Sequence, residues 1–243
     1  RSMIQEAVLS VFSPITSFNP KLPIHVVISI PDGEERAKKT LNQRLGIMGG
    51  LSILGTTGIV RPVSAKAWTD TIDAALDVAR ACGCANVVLS TGRTSEMAAQ
   101  KYLSAAAGGV SLPEEAFIMM GDHFAHTLEN CKQRGFIRPL IACQFAKLLK
   151  MACGNANTHA AASEIELATL LEWAKADGLP ADIAKLITRA NTAREIIAAS
   201  EFDLRLLELV SRRVFQTVDR MVPKLQAQIL VADYGGNIVY DSR

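Results

Sequence analysis

"ANVVLSTGRTSEMAAQKYL", residues 85–103, passes from a compact apolar run into an amphipathic one across Thr91-Gly92. Aliphatic residues that stop at a glycine and give way to a helical pattern are the sequence form of a buried strand feeding a helix. The unit recurs twice. "AFIMM" (116–120) leads into "GDHFAHTLENCKQRG", and "IRPLIAC" (137–143) leads into "QFAKLLKMACG". In the middle helix Phe124, Leu128 and Cys131 are spaced i, i+4, i+7, with Asp122 as the cap and Gly135 as the stop. Strands alternating with helices of this length imply right-handed crossovers and a sheet covered on both faces. The expected fold class is α/β, a Rossmann-like parallel sheet.

Towards the C-terminus the rhythm breaks into helices only, a helical insertion. Ser163-x-x-Glu166 and Thr192-x-x-Glu195 read as capping boxes, and Gly178-Leu179-Pro180 separates two helical segments. An amphipathic stretch from Glu201 to Asp219 carries Phe202, Leu206, Val210 and Val214 on one stripe. "AQILVAD" (227–233) and "NIVYD" (237–241), joined through Tyr234-Gly235-Gly236, then read as a strand and its hairpin return.

Towards the N-terminus, Pro62 and Ser64 introduce a helix with Trp68, Ile72, Ala75 and Ala79 on one face, ended by Gly83. Before it, "LPIHVVISI" (22–30) alternates as a strand does, with Val26 and Ile28 on one face. In "PDGEERAKKTL", Pro31 and Asp32 stand where a helix starts and two acids occupy its first turn. The predicted organisation is residues 1–63, the remainder of an α+β domain carrying a glycine-rich motif, followed by an α/β domain over 64–243.

Composition narrows the function classes. The chain of 243 residues is 49% hydrophobic and 21% charged, with a net charge of +2. That suits a packed core and lacks the dense basic footprint of nucleic-acid binding. No membrane span is expected, because the longest uncharged stretch, residues 45–60, is short, broken by glycines and flanked by Arg44 and Arg61. The N-terminus shows no signal-peptide cleavage pattern, so a cytoplasmic location is the expectation. Cys82, Cys84, Cys131, Cys143 and Cys153 lack C-x-x-C spacing and read as reduced, buried small hydrophobes.

That uncharged stretch, with Arg61 and Pro62, reads "LGIMGGLSILGTTGIVRP" (45–62). It offers no G-x-G-x-x-G, and Thr56 stands where a phosphate loop needs lysine. Two readings stay open: close packing of backbones, or approach of a flat ligand to backbone N–H groups and to the Ser52, Thr56 and Thr57 hydroxyls. Ligands of open parallel sheets settle at the carboxyl ends of strands, which singles out "LSTGRT" (89–94) and "MMGD" (119–122). There a glycine turn and an acid suit an adenosyl group, although Asp122 as a plain helix cap is favoured by local spacing. His123 and His126 are i, i+3 without a third ligand, so solvated helix positions are preferred to a metal. No nucleophile elbow or catalytic triad is present, and the catalytic residues are not legible.

"PDGEERAKKTLNQRLGIMGGLSILGTTGIVRPVS" (31–64) resembles, almost residue for residue, the signature of the CbiD family of cobalamin biosynthesis. The resemblance runs on through "VVLSTG", "GDHFAHTLENCKQRGF" and "FAKLLKMACGNANTHAAAS", where Lys147, Lys150, Ala152, Gly154, Thr158 and His159 match a further family element. Ala146 stands in place of a usual glycine there, and Gln144 where many members have histidine. A T-T-G-T-C-A-A-A-A-like motif that opens family members is not found, so the chain reads as an N-terminally truncated member.

The resemblance implies a C-methyltransferase that uses S-adenosylmethionine to methylate cobalt-precorrin-5B at C-1, giving cobalt-precorrin-6A. The alternative is a fragment that binds ligands without turnover. A nicotinamide oxidoreductase is disfavoured, since no dinucleotide fingerprint follows the first strand. On the methyltransferase reading, Gly49, Gly50, Ser52, Gly55, Thr56 and Thr57 line the macrocycle or the domain junction. Arg61, Arg93 and Lys147 meet its carboxylates, and Gly92 and Asp122 hold the adenosyl donor. No resident metal, nucleic acid or membrane partner is expected, and a homo-oligomer is possible. Replacing Asp122 is expected to weaken donor binding far more than folding.

Overall fold

The computed structural model describes residues 2–12, 14, 23–53, 64–105, 112–160 and 167–243. By contacts the chain divides into two units, Arg1–Ala67 and Trp68–Arg243.

The second unit is a mixed α/β domain with a central sheet and flanking helices. Its strands are β1 (Val88–Ser90), β2 (Phe117–Met119), β3 (Leu140–Gln144), β4 (Gln228–Ala232) and β5 (Ile238–Asp241), in the order β2-β1-β3-β4-β5. The first four pair in parallel, with Leu89 beside Ile118 and Ile141, and Ile141 beside Ile229. β5 returns antiparallel to β4 through the Tyr234-Gly235-Gly236 turn, with Gly236 at φ +83°. The five strands expected in this unit form, each shorter than its apolar run.

In chain order the helices are α1 (Ser2–Phe12), α2 (Gly33–Ala37), α3 (Ala65–Ala81), α4 (Arg93–Ala105) and α5 (Phe124–Gln133). α6 (Phe145–Ala152), α7 (Leu167–Ala176), α8 (Ala181–Arg189), α9 (Ala193–Ala199) and α10 (Leu204–Met221) follow. Side chains alternate across a strand, and the two sheet faces build two cores. Leu89, Ile118, Ile141, Ile229 and Val231 join Ile72 and Leu76 of α3, Phe124 and Leu128 of α5, Leu148 and Leu149 of α6 and Val210 and Val214 of α10. Val88, Phe117, Leu140, Ala142 and Leu230 face the other way, against Ala99, Tyr102 and Leu103 of α4. Burial of each such aliphatic side chain contributes about 2 kcal/mol.

Local signals end the helices where expected, with small shifts. The Ser64 hydroxyl accepts from Ala67 N at 3.2 Å before α3, and Gly83 closes that helix at φ +73°. Gly135, at φ +85°, stops α5 while Phe136 N donates to Cys131 O at 2.9 Å. The α3 stripe is turned slightly from its predicted position: Ile72, Leu76 and Ala79 are buried, whereas Trp68 keeps 46% exposure. The Thr192 hydroxyl caps α9 by accepting from Glu195 N at 3.1 Å, as its capping box predicts. The Ser163 box lies outside the described residues. Asp203, rather than Glu201, opens the last long helix, its carboxylate accepting from the N–H groups of Arg205 and Leu206.

The described part of the first unit holds α1, α2 and a 3-10 turn over Gln43–Leu45. One expectation fails here. Residues 23–30 form no strand, and Val27 is 88% exposed with Val26 and Ile28 at 50%. Alternation alone does not make a strand; a hydrogen-bonding neighbour does, and no described residue pairs with this segment.

Candidate functional site

The exits of β1, β2 and β3 carry the polar cluster of the second unit. Ser90 ends β1, and its carbonyl accepts from Met120 N at 2.9 Å and Gly121 N at 3.2 Å. Those bonds draw the β2 exit across the end of β1. Gly121 makes the bend at φ +58°, a conformation that suits glycine, with the Trp68 indole against it.

Asp122 follows, but not as the predicted cap. The residue at the cap of α5 is His123, whose side chain makes no cap hydrogen bond, and Ala125 N in the first turn donates to Ala156 O at 3.0 Å. The Asp122 carboxylate has stronger partners brought from further along the chain. Its Oδ1 accepts the Thr158 hydroxyl at 2.9 Å and makes a close ion pair with the Lys147 ammonium, one turn into α6. Lys147 Nζ also donates to Thr158 O at 3.0 Å, and Lys150 Nζ donates to the same carbonyl at 3.2 Å. Neither of these Asp122 bonds uses Oδ2.

The electrostatics follow from these contacts. Burial raises the Asp122 pKa, but hydrogen bonds from Lys147 and Thr158 and the charges of Lys147 and His159 outweigh it, leaving the carboxyl below its ordinary value. Lys150 is buried, and burial together with the Lys147 charge pushes its ammonium below the usual lysine value despite Asp122. Burial and the neighbouring His126 lower His123.

At the β1 exit, a Cβ on Gly92 would meet no described residue within 4 Å. Arg93 starts α4 and donates from Nη1 to Glu96 Oε1 at 2.5 Å, while Ser90 Oγ lies 3.4 Å from Glu96 Oε2. The structure thus joins Asp122 with Lys147, and sets Gly92 and Arg93 at the exit of the neighbouring strand. Thr158, Ser90 and Glu96 complete this ground and were not singled out as site residues. Arg93 and Glu96 at i, i+3 after a strand-ending glycine was the available signal for the last.

Gly49, Gly50 and Ser52 belong to the first unit. Gly46 and Gly49 adopt φ +73° and +77°, and a Cβ at Gly46, Gly49 or Gly50 would meet no described residue within 4 Å. Asn42 orders the turn, donating to Gly50 O at 3.2 Å and accepting from the Ser52 hydroxyl at 3.4 Å. A cavity of about 230 Å³ opens beside Gly49, lined also by Glu34, Lys38, Gln43 and Met48. Gly55, Thr56, Thr57 and Arg61 lie outside the described residues.

His126 is not simply solvated: its Nε2 lies 2.9 Å from Asp73 Oδ1, tying α5 to α3. Among the described residues no group of three His, Cys, Asp or Glu side chains could hold a metal ion, and no helix is long and apolar enough to cross a membrane. The five cysteines are free; Cys131 and Cys143 are buried as expected, Cys84 and Cys153 are only partly buried, and Cys82, beyond the end of α3, is exposed.

A family model described as CbiD matches residues 1–62, and one described as CbiD, C-terminal domain, matches residues 157–243. The chain belongs to the CbiD family. Among its CbiD relatives, a protein of Pelobacter propionicus is 54% identical, with 100% of this chain and 65% of that protein covered. One of Geobacter sulfurreducens is 51% identical, covering 98% and 64%, and one of Brucella canis is 39% identical, covering 88% and 57%. All three carry the name cobalt-precorrin-5B C(1)-methyltransferase. The chain therefore spans just under two thirds of the length of the first two. No solved structure gives a significant match.

Proposed function

We propose that the protein transfers a methyl group from S-adenosylmethionine to C-1 of cobalt-precorrin-5B, giving cobalt-precorrin-6A. The observation that carries this reading is the 54% identity, along the whole chain, to a relative named for that reaction. The sheet is read as Rossmann-like over 64–243, preceded by part of an α+β domain over 1–63.

The strand exits fit an adenosyl donor. Gly92 leaves open space where a side chain would stand, and Asp122 keeps Oδ2 clear of its Lys147 and Thr158 bonds. When bound, the donor supplies a methyl group on a sulfonium, whose C–S bond breaks as the ring carbon provides the electron pair for the new C–C bond. Asp122 Oδ2 accepts from a ribose hydroxyl, with the carboxylate held ionised and oriented by Lys147 and Thr158. Gly92 lets the nucleoside approach the backbone of the β1 exit. On this reading Arg93 and Lys147 would meet the macrocycle's carboxylates and Gly49, Gly50 and Ser52 would line the macrocycle or the domain junction, roles shared with Arg61, Gly55, Thr56 and Thr57 outside the described residues. Alignment and exclusion of water are the protein's main tasks, because the donor is intrinsically reactive.

A second reading, ligand binding without turnover, is favoured by one observation: no described residue of the first unit is buried. The test is calorimetric titration with S-adenosylmethionine and S-adenosylhomocysteine, then a labelled-methyl assay with cobalt-precorrin-5B. Saturable binding and label transfer are expected. Binding without transfer selects the second reading, and no binding by the folded chain removes the donor site.

A further inference from the structure

Glu96, in the first turn of α4, is fully buried, and it is the only carboxylate so placed among the described residues. A carboxylate taken out of water is costly unless charge and hydrogen bonds compensate. Arg93 supplies both at Oε1, and the Ser90 hydroxyl, shared with Ile118 O at 3.3 Å, lies 3.4 Å from Oε2. The arginine is not buried with its partner: its side chain keeps 64% exposure, that of Glu96 none.

Replacing such a pair with well-packed apolar residues is often neutral or stabilising, so stability alone does not account for it. What the buried acid adds is direction. It grips one Nη of a planar five-donor fork and leaves the remaining N–H groups without a protein acceptor among the described residues. The fork stands directly after Gly92, beside the open space at the β1 exit.

We propose that Glu96 is a positioning residue: with Ser90 it fixes the Arg93 guanidinium at the β1 exit as a receptor for a ligand carboxylate. The proposal rests on the donor-and-corrin reading of these strand ends. Two sources offer that chemistry, the amino-acid end of the donor and the acidic side chains of the macrocycle.

Paired probes separate them. S-adenosylhomocysteine carries the carboxylate and 5′-methylthioadenosine is the thioether nucleoside without that whole amino-acid end; cobyrinic acid carries free carboxylates and cobinamide carries amides. Affinities of the unsubstituted protein, Arg93→Gln and Glu96→Gln are measured by calorimetry. Both substitutions are expected to weaken one carboxylate-bearing probe about tenfold and spare its counterpart, and the responding pair names the source. A purely structural role for Glu96 would move both members of a pair alike. If only Arg93→Gln changes the ratio within a pair, or neither variant does, the proposal is overturned. If the unsubstituted protein binds none of the four probes, the ligand reading itself fails and takes the proposal with it. Should Glu96→Gln not fold, Ser90→Ala gives the same readout, with an expected loss of about threefold in the responding probe.

Discussion

Thr158 meets Asp122 twice: its backbone N–H donates to Asp122 O at 2.9 Å, and its hydroxyl donates to Oδ1 at 2.9 Å. The loop after α6 is thereby fastened to the exit of β2. Thr158→Val keeps the backbone bond and, at a fully buried position, deletes the other, leaving Asp122 Oδ1 without its hydroxyl donor. Loss of about 1 kcal/mol of unfolding free energy is expected in a denaturant titration.

Asp122→Ala removes the acceptor of both Thr158 and Lys147 and leaves two lysines converging on one carbonyl. The sequence alone suggests an effect on donor affinity with little on folding. The structure adds a cost of about 2 kcal/mol to stability, so both losses are expected, read by denaturant titration beside calorimetry.

Acid should act through depressed carboxyls. Asp122 lies below its ordinary value as described. Asp77 does so through its hydrogen bond from Arg134, and Asp203 through its bond from Arg205. A depressed carboxyl stabilises the fold fully above its unfolded pKa, about 3.9, and this is lost as pH falls through the folded value. These groups should therefore leave Tm unchanged between pH 7 and about pH 5 and lower it below about pH 4. In Asp122→Asn the drop below about pH 4 should be smaller. An equal drop would show that the Lys147 pairing contributes nothing.

At Gly121 an added Cβ would come within 3.0 Å of the Trp68 indole, at a φ of +58°. Gly121→Ala should cost about 2 kcal/mol, part steric and part conformational. In a Trp68→Ala background the steric part disappears and about 1 kcal/mol should remain. Thermal unfolding of the four proteins closes that cycle.

Thiol labelling should discriminate the cysteines. Burial pushes the Cys131 and Cys143 thiols up to about 12, whereas Cys82 is exposed. At pH 8 Cys82 is expected to react first, with Cys131 and Cys143 labelled only on unfolding, followed by mass spectrometry. Rapid labelling of Cys143 in native protein would contradict the packing of β3.

What the sequence discloses is whatever repeats over a short span. The alternation from Val87 to Cys143, the spacing of Phe124, Leu128 and Cys131, and the Thr192 cap each depend on residues within a turn or two, and each is found. Asp122 shows where that ends. A local rule assigns it to the helix beside it, but Lys147 and Thr158 lie 25 and 36 residues on and offer charge as well as hydrogen bonds. Glu96 looks like an ordinary acid in a helix's first turn until the fold places Ser90 beneath it. The segment 23–30 fails oppositely: its alternation is right, and no described strand lies beside it.

The two margins of the sheet bear on self-association. Unpaired strand backbone is a template on which a second copy can add. One margin, β2, is only three residues long, and the other, β5, meets its neighbour across an irregularity between Val231 and Ala232. The β5 margin also carries Asp241, gripped by Arg243 and by the Tyr102 hydroxyl at 3.0 Å. Templated growth of this sheet from copy to copy would find few consecutive backbone groups in register, and a charged pair at the end of one of its rows.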